Sequence, residues 1–327
     1  VLEADVVIVG AGAAGLSLAH RLSRRAPGAP RMSVVLVDAP PGPLRPPSRT
    51  WCFWEKGTGP YDAALSAAWR RLRVRTPDGR ILQRDIAPLT YKMLRSDDFE
   101  DLVARELARG DAVHRLEAAV ETVDGVADGA EVRARSGDGS ALTVRARWVF
   151  DSRPLGSLPA ARTTLLQHFH GWFVRTRRPV FDSDTVEFMD FRVPQPPGGL
   201  AFGYVLPTGS DRALVEYTEF SGAVLPRATY DTALRRYSED VLGLRGFEVV
   251  ATESGVIPMT DARFDRRSGP SVFRIGTAGG ATRPSTGYTF SAIQRQTRAI
   301  AAALRAGRNP VPPPPTRPAR ARWTPYC

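Results

Sequence analysis

The chain has 327 residues, enough for one large domain or two coupled ones, and its 43% apolar and 24% charged content excludes wholesale disorder. Its formal charge of +11 suits an anionic partner such as an acidic membrane surface, although an Arg-rich chain carries such a charge with no partner at all. Two cysteines, Cys52 and Cys327, exclude a disulfide framework, and no window holds the roughly 18 consecutive apolar residues of a spanning helix. A reducing cytosol is therefore the expected compartment, no signal-peptide pattern opens the chain, and any membrane contact is expected to be peripheral.

Asp5 to Val9 reads as a short buried parallel strand, followed by Gly10, Gly12 and Gly15 at GxGxxG spacing. A helix is predicted from Ala14 to about Arg25, and a second strand from Val34 to Val37 ends in Asp38. The glycines have separate duties: Gly10 permits the turn, Gly12 lets backbone approach a pyrophosphate, and Gly15 lets helix and strand pack closely. The helix N-terminus, at Ala14, offers N–H donors to phosphate, and Asp38, 23 residues after Gly15, stands where an acid would meet a ribose hydroxyl. The motif alone does not separate FAD from NAD; its place at the start of the chain favours FAD.

A Pro-rich connector leads to Arg49-Thr50-Trp51-Cys52-Phe53-Trp54-Glu55, whose aromatics either line an apolar channel or pack as core, the commoner fate. Residues 69–85 read as a β-hairpin around a PDG turn, and 91–110 as an amphipathic helix with Leu94, Phe99, Leu102, Val103 and Leu107 on one face and Gly110 as its cap. Alternating strands over 117–150 return to the first sheet at Val149-Phe150-Asp151. Residues 163–221 are strand-rich and predict an antiparallel sheet. His168, His170, Asp190, Glu216 and Glu219 are expected at exposed positions on it. The two histidines share a strand face without a third ligand, so no metal site is expected. Alternation puts Glu216 with Leu214 and Thr218, opposite Val215 and Tyr217. There it is either a solvated edge carboxylate or an acid with a raised pKa, fit for proton transfer.

A helix is predicted over 227–243 and a strand over 247–257. A second glycine landmark, Gly276, Gly279 and Gly280, then precedes a Pro284-Ser285-Thr286-Gly287 loop and a long helix from about Thr286 to Leu304, whose N-terminal dipole near Gly287 would face an electron-rich flavin edge. The expected fold is α/β: an FAD-binding Rossmann domain of the N-terminal type with an inserted antiparallel β-sheet substrate domain. Residues 1–60, 90–160 and 265–306 are assigned to the first, 61–89 and 161–264 to the second, and 307–327 to a disordered Pro/Arg-rich tail.

Taken together, DVVIVGAGAAGLSLA, RTWCFWE, VFDSRP, QHFHGW, EFMDFR, YVLP, LVEYTEFS and GTAGGATRPSTGYTFSAIQRQ resemble, in order and over residues 1 to about 305, the flavin-dependent lycopene β-cyclases of carotenoid synthesis. WCFWE with TRPSTGY is the specific part. The resemblance implies reduced FAD, kept so by NAD(P)H, and lycopene drawn from a membrane on whose cytoplasmic face the enzyme sits peripherally. It implies protonation of a ψ end group at C2, ring closure and loss of the C6 proton, giving β-carotene by way of γ-carotene with no net redox change. It makes Glu216 the essential glutamate and Asp190 a weaker catalytic candidate, and it lets Trp51, Phe53 and Trp54 offer π faces to a cation. Gly276-Thr277 replaces the Gly-Asp of many flavoproteins, which counts against an ordinary hydroxylase. Family members run on past the long helix and this chain ends PPPPTRPARARWTPYC, so an inactive truncated homologue is one alternative; a redox flavoenzyme, a prenyl reductase or monooxygenase, is the other. No nucleic-acid-binding motif accompanies the charge, so no nucleic-acid partner is expected.

Overall fold

The structure is a computed structural model and describes residues 1–24 and 32–314. In chain order its elements are β1 (Leu2–Val9), α1 (Ala13–Ser23), β2 (Val34–Asp38), β3 (Thr50–Lys56), β4 (Leu65–Trp69), β5 (Arg71–Arg75), β6 (Ile81–Asp85), β7 (Leu89–Arg95) and α2 (Ser96–Leu107). There follow β8 (Val113–Val126), β9 (Gly129–Ser136), β10 (Ala141–Asp151), β11 (Thr164–Arg175), β12 (Thr185–Asp190), β13 (Leu200–Pro207), β14 (Arg212–Ser221), α3 (Arg227–Arg236), β15 (Glu248–Thr260), β16 (Val272–Arg274) and α4 (Phe290–Arg305).

β1 lies between β2 and β10, parallel to both, with β8 outside β2 and β16 outside β10. The far halves of β8 and β10 leave this parallel layer and pair antiparallel with β9 as a meander. Alternation explains the layering. Val6 and Ile8 turn to the helices, in one apolar cluster with Leu16, Leu18, Ile300 and Leu304. Val7 and Val9 turn to the meander, against Val132, Val144 and Val149. Each such buried side chain contributes about 1.5–3 kcal/mol relative to exposure.

The second sheet has seven strands in the order β15-β11-β14-β13-β12-β5-β6. It is antiparallel except where β5 joins β12 in parallel, a departure from the all-antiparallel expectation that brings the 71–85 hairpin in as an edge. α3 packs on one face, with its Tyr230 and Leu234, and Tyr237 just after it, against Trp172, Val205 and Val215. On the other face lies a small third sheet, β3-β7-β4, whose Trp69, Tyr91 and Met93 meet Leu72, Val186, Leu206 and Leu214. The expected domain boundary at 60/61 falls inside this small sheet.

Several boundaries differ from expectation. Leu94 lies in β7 instead of joining the second helix, which starts at Ser96 and is followed by Ala108 as its cap residue, not Gly110. The helix predicted over 227–243 is α3 followed by one wider turn over Tyr237–Val241. α1 ends at Ser23, and the Arg25 of its expected end lies outside the described residues. After α4, Pro310 and Pro312 are buried and Arg266 donates to the Pro312 carbonyl oxygen, so 307–314 is docked on the body of the protein. The remainder of the tail expected to be disordered, 315–327, and Cys327 with it, lies outside the described residues.

Candidate functional site

The first glycine turn is built as its spacing requires. Gly10 has φ +90°, a left-handed conformation, and a Cβ on it would press on Ser152 Oγ at 2.5 Å. A Cβ on Gly15 would overlap the Gly10 carbonyl oxygen, so helix and strand meet at this distance only without a side chain. Gly12 faces open space and begins α1 with no side-chain cap, leaving Ala13, Ala14 and their neighbours to offer N–H groups outward. Asp38 closes β2; its Oδ2 accepts from Arg115 at 2.5 Å, with Arg45 at 3.8 Å.

The second landmark sits beside the first. Gly276 has φ +66° and would touch Ala14 Cβ at 3.0 Å if it bore a Cβ, and its N–H donates to Gln296 Oε1 at 2.8 Å. Gly279 backs onto the Arg274 carbonyl and Gly280 onto Phe264. Pro284, Thr286 and Gly287 lie in a closed turn, not in the helix: Gly287 has φ +69° and donates to the Arg283 carbonyl at 2.9 Å, and Arg283 donates to the Tyr288 carbonyl at 3.0 Å. α4 therefore begins at Phe290, four residues later than expected, again with no side-chain cap. Two polar atoms beside this turn, Thr286 Oγ1 and Gln167 Oε1, are buried without a hydrogen-bond partner. Open space at Gly12, two uncapped helix N-termini and these orphan acceptors fit a dinucleotide with a polar ring system across the glycine landmarks.

Gln167 leads from the cofactor loop to the second sheet, since a Cβ on Gly287 would collide with its Oε1. Two and four residues along β11 come Phe169 and Gly171, so Gly171 lies roughly 13 Å from Gln167 along the same face. Opposite Gly171 stand Glu216 on β14 and Glu253 on β15, and beyond Glu216 stands Tyr204 on β13. Glu253 is held by Thr50, whose N–H donates at 2.8 Å and hydroxyl at 2.6 Å. Glu216 has no cationic partner among the described residues; the Thr218 hydroxyl donates to its Oε1 at 2.6 Å. Its side chain keeps some exposed area, yet enough protein surrounds it for lost hydration to govern its ionisation. Burial pushes its pKa up from 4.5 to about 8, the Thr218 bond pulls it down, and the Glu253 charge adds to the rise. At neutral pH this carboxyl holds its proton.

The same face is aromatic. Trp54 and Phe188 meet at 5.6 Å between ring centroids, and Phe188 and Tyr204 at 5.5 Å, both edge to face. Tyr91 and Tyr288 share a hydroxyl–hydroxyl bond of 3.0 Å, and burial raises the pKa of both phenols and of Tyr204. Cys52 lies among them, its thiol pushed up to about 12 by burial. Trp51 and Phe53 do not belong to this face. Alternation along β3 sends them the other way, against Phe290 at 5.5 and 4.6 Å, as core of the nucleotide-binding domain.

Asp190 is not brought to Glu216. A register shift between Glu187 and Asp190 turns it to the α3 face, where it is fully buried, accepting from Arg192 at 2.6 Å and the Tyr237 hydroxyl at 3.0 Å. The expected exposure of the histidines and Glu219 is also corrected. His168 lies 2.5 Å from the Tyr230 hydroxyl and 2.8 Å from Ser221 Oγ, His170 lies 2.7 Å from Ser254 Oγ, and Glu219 accepts from Tyr217. An open surface cavity of about 640 Å³ near Trp172 and Phe247 also lies on that side, away from Glu216. Glu253, Tyr204, Tyr91 and Tyr288 escaped the sequence reading as site residues. Tyr288 alone had a local signal, directly after Gly287; the others are set beside Glu216 by strand pairing.

A nucleotide-binding sheet joined to a substrate sheet in this way is the fold of the two-domain flavoproteins. A geranylgeranyl bacteriochlorophyll reductase-like protein from Thermoplasma acidophilum is similar over 94% of this chain and 80% of its own, with TM-score 0.69 and 16% identity. The p-nitrophenol 4-monooxygenase of Pseudomonas putida DLL-E4 is similar over 94% and 81%, with TM-score 0.65 and 17% identity. An aklavinone-11 hydroxylase in complex with FAD and aklavinone is similar over 94% and 63%, with TM-score 0.64 and 19% identity. At these identities the likeness is one of fold. The chain itself belongs to the lycopene cyclase protein family, whose family model matches residues 5–325. No curated protein matches the sequence significantly.

Proposed function

We propose that this protein is an FAD-dependent lycopene β-cyclase, converting lycopene by way of γ-carotene to β-carotene without net redox change. Beside the family membership, one observation carries the reading: a glutamic acid protonated at neutral pH, on the aromatic face of the second sheet. The Glu216 O–H bond breaks and a C2–H bond forms from the C1=C2 electron pair, leaving the cation at C1. The C5=C6 pair closes the C1–C6 bond and moves the cation to C5. The C6 proton leaves, its bonding pair forms C5=C6, and the Glu216 carboxylate takes the proton back. The Thr218 hydroxyl fixes one carboxyl oxygen, leaving the other for the exchange.

Gly10, Gly12, Ala14, Gly15 and Asp38 would hold the adenine-nucleotide half of FAD, and Gly276, Gly279, Gly280, Pro284, Thr286 and Gly287 the flavin half. When bound and reduced, with NAD(P)H as reductant, FAD supplies negative charge beside the reacting end group. A C40 hydrocarbon has to come from lipid, which supports peripheral docking on a membrane, here assigned to its cytoplasmic face as part of the proposal. Among the described residues no helix is long and apolar enough to cross one.

The test is an anaerobic assay in lycopene-bearing liposomes with FAD and NADPH, products resolved by chromatography. β-Carotene in large excess over NADPH consumed is the expected result. One NADPH consumed per molecule of a more saturated product would overturn the cyclase reading in favour of a reductase.

A further inference from the structure

We infer that Trp54, Phe188 and Tyr204 form a cation-bearing aromatic wall beside Glu216, the surface on which the positive charge of the cyclising end group is held. The inference rests on the cyclase reading, narrows its π-face expectation to Trp54, and assigns a substrate contact to Phe188 and Tyr204, which that reading does not use.

The placement comes from register. Tyr204 is the direct cross-strand neighbour of Glu216 in the β13–β14 ladder, so their side chains rise from the same face about 5 Å apart at Cβ. Phe188 stands edge to face on Tyr204 at 5.5 Å, and Trp54 edge to face on Phe188 at 5.6 Å. The three rings thus continue in a row away from the proton donor. Trp54 and Phe188 are only partly buried and keep some surface that no protein atom covers, whereas Tyr204 is buried between them and Glu216.

The chemistry asks for such a row. Protonation at C2 puts the charge at C1, and ring closure carries it to C5, several bonds away. A second carboxylate placed along that path, beside Glu216, would take a proton early or bond to carbon. A ring face attracts the cation and does neither. The charged groups nearby are occupied elsewhere: Glu253 is bound by Thr50, and the Arg95 guanidinium lies 4.6 Å over the Phe173 ring. The Tyr91 and Tyr288 hydroxyls bond each other, and their burial keeps the phenols from becoming bases.

The test compares parental holoenzyme with Phe188→Leu, Phe188→Tyr and Trp54→Leu in lycopene-bearing liposomes. Each leucine variant is expected to lose about thirtyfold in kcat, about 2 kcal/mol, with KM nearly unchanged, and Phe188→Tyr to stay within about threefold of the parent. Leucine variants with parental kcat, or with a loss confined to KM, would overturn the wall and leave the cyclase reading standing. A parental enzyme that leaves lycopene uncyclised would remove both.

A binding measurement separates the wall from mere packing. Dimethyldodecylammonium mimics the cation, and dodecanol is its uncharged counterpart. In neutral detergent, Phe188→Leu holoenzyme with unchanged circular dichroism should bind the ammonium at least about tenfold more weakly than the parent does, and the alcohol equally well. Equal weakening of both would mean that Phe188 only fills space. Should Phe188→Leu fail to fold, Trp54→Leu gives the same two readings.

Discussion

The two faces of the seven-stranded sheet carry similar residues and put them to opposite uses. Under α3, Asp190, Glu219, His168 and His170 are each tied to a hydroxyl or a guanidinium, and such groups hold structure together. On the other face Glu216 has one hydroxyl, a wall of rings and, among the described residues, no cation. Burial is common to both faces. What differs is whether the buried charge finds a partner, and the unpaired acid is the one left with a proton to give.

Removing that proton is the sharpest way to break the contrast. Glu216→Gln should lower turnover by roughly a thousandfold with FAD still bound, measured by product formation and flavin absorbance. Near-parental turnover would mean that the acid lies elsewhere. Next in size is Asp190→Ala, which strands Arg192 and the Tyr237 hydroxyl. Stability should fall by about 3 kcal/mol in denaturant titration, with turnover per folded molecule kept. A catalytic loss in a fully stable variant would place Asp190 in the chemistry after all.

The folded-state pKa of Glu216 stands above its unfolded value of 4.5, so the folded protein retains a proton that the unfolded chain gives up between pH 4.5 and about 8. Its contribution to stability is therefore fully present below pH 4.5, declines through that window and is gone above about 8. The Tm of Glu216→Gln should accordingly gain on the parental Tm as pH rises across the window. A constant difference would show that Glu216 ionises like a surface glutamate. If Glu216 is the proton donor proposed, the same ionisation should set the alkaline limb of kcat near pH 8, and Thr218→Val, which removes the hydroxyl that favours the charged form, should move that limb upward. The smallest effect belongs to the α3 face: His168→Gln should cost about 1 kcal/mol and leave the pH profile of turnover where it was.

What could be read beforehand follows from how local each feature is. The β1–α1–β2 unit is local, its glycines placed by backbone limits that act within a few residues, and it formed as expected. So did the parity of β14, which puts Glu216 with Leu214 and Thr218. Asp190 faces away from Glu216 because one register shift in β12 reverses parity, and nothing in EFMDFR announces it. The start of α4 slipped because Gly287 takes a left-handed conformation that ends a turn instead of opening a helix. Glu253, Tyr204 and Tyr91 join the site across strands that only pairing brings together.

The strand Trp51-Cys52-Phe53-Trp54 serves two landlords. Its odd positions are built into the nucleotide-binding core beside Phe290, and its even positions into the aromatic face that carries Glu216. Tolerance to substitution along these four codons should therefore alternate with a period of two. Changes at 51 and 53 would be filtered by whether the protein survives in the cell, and, on the proposed function, changes at 52 and 54 by what the site accepts. A selection for altered substrate range would move through the even positions and leave the odd ones untouched.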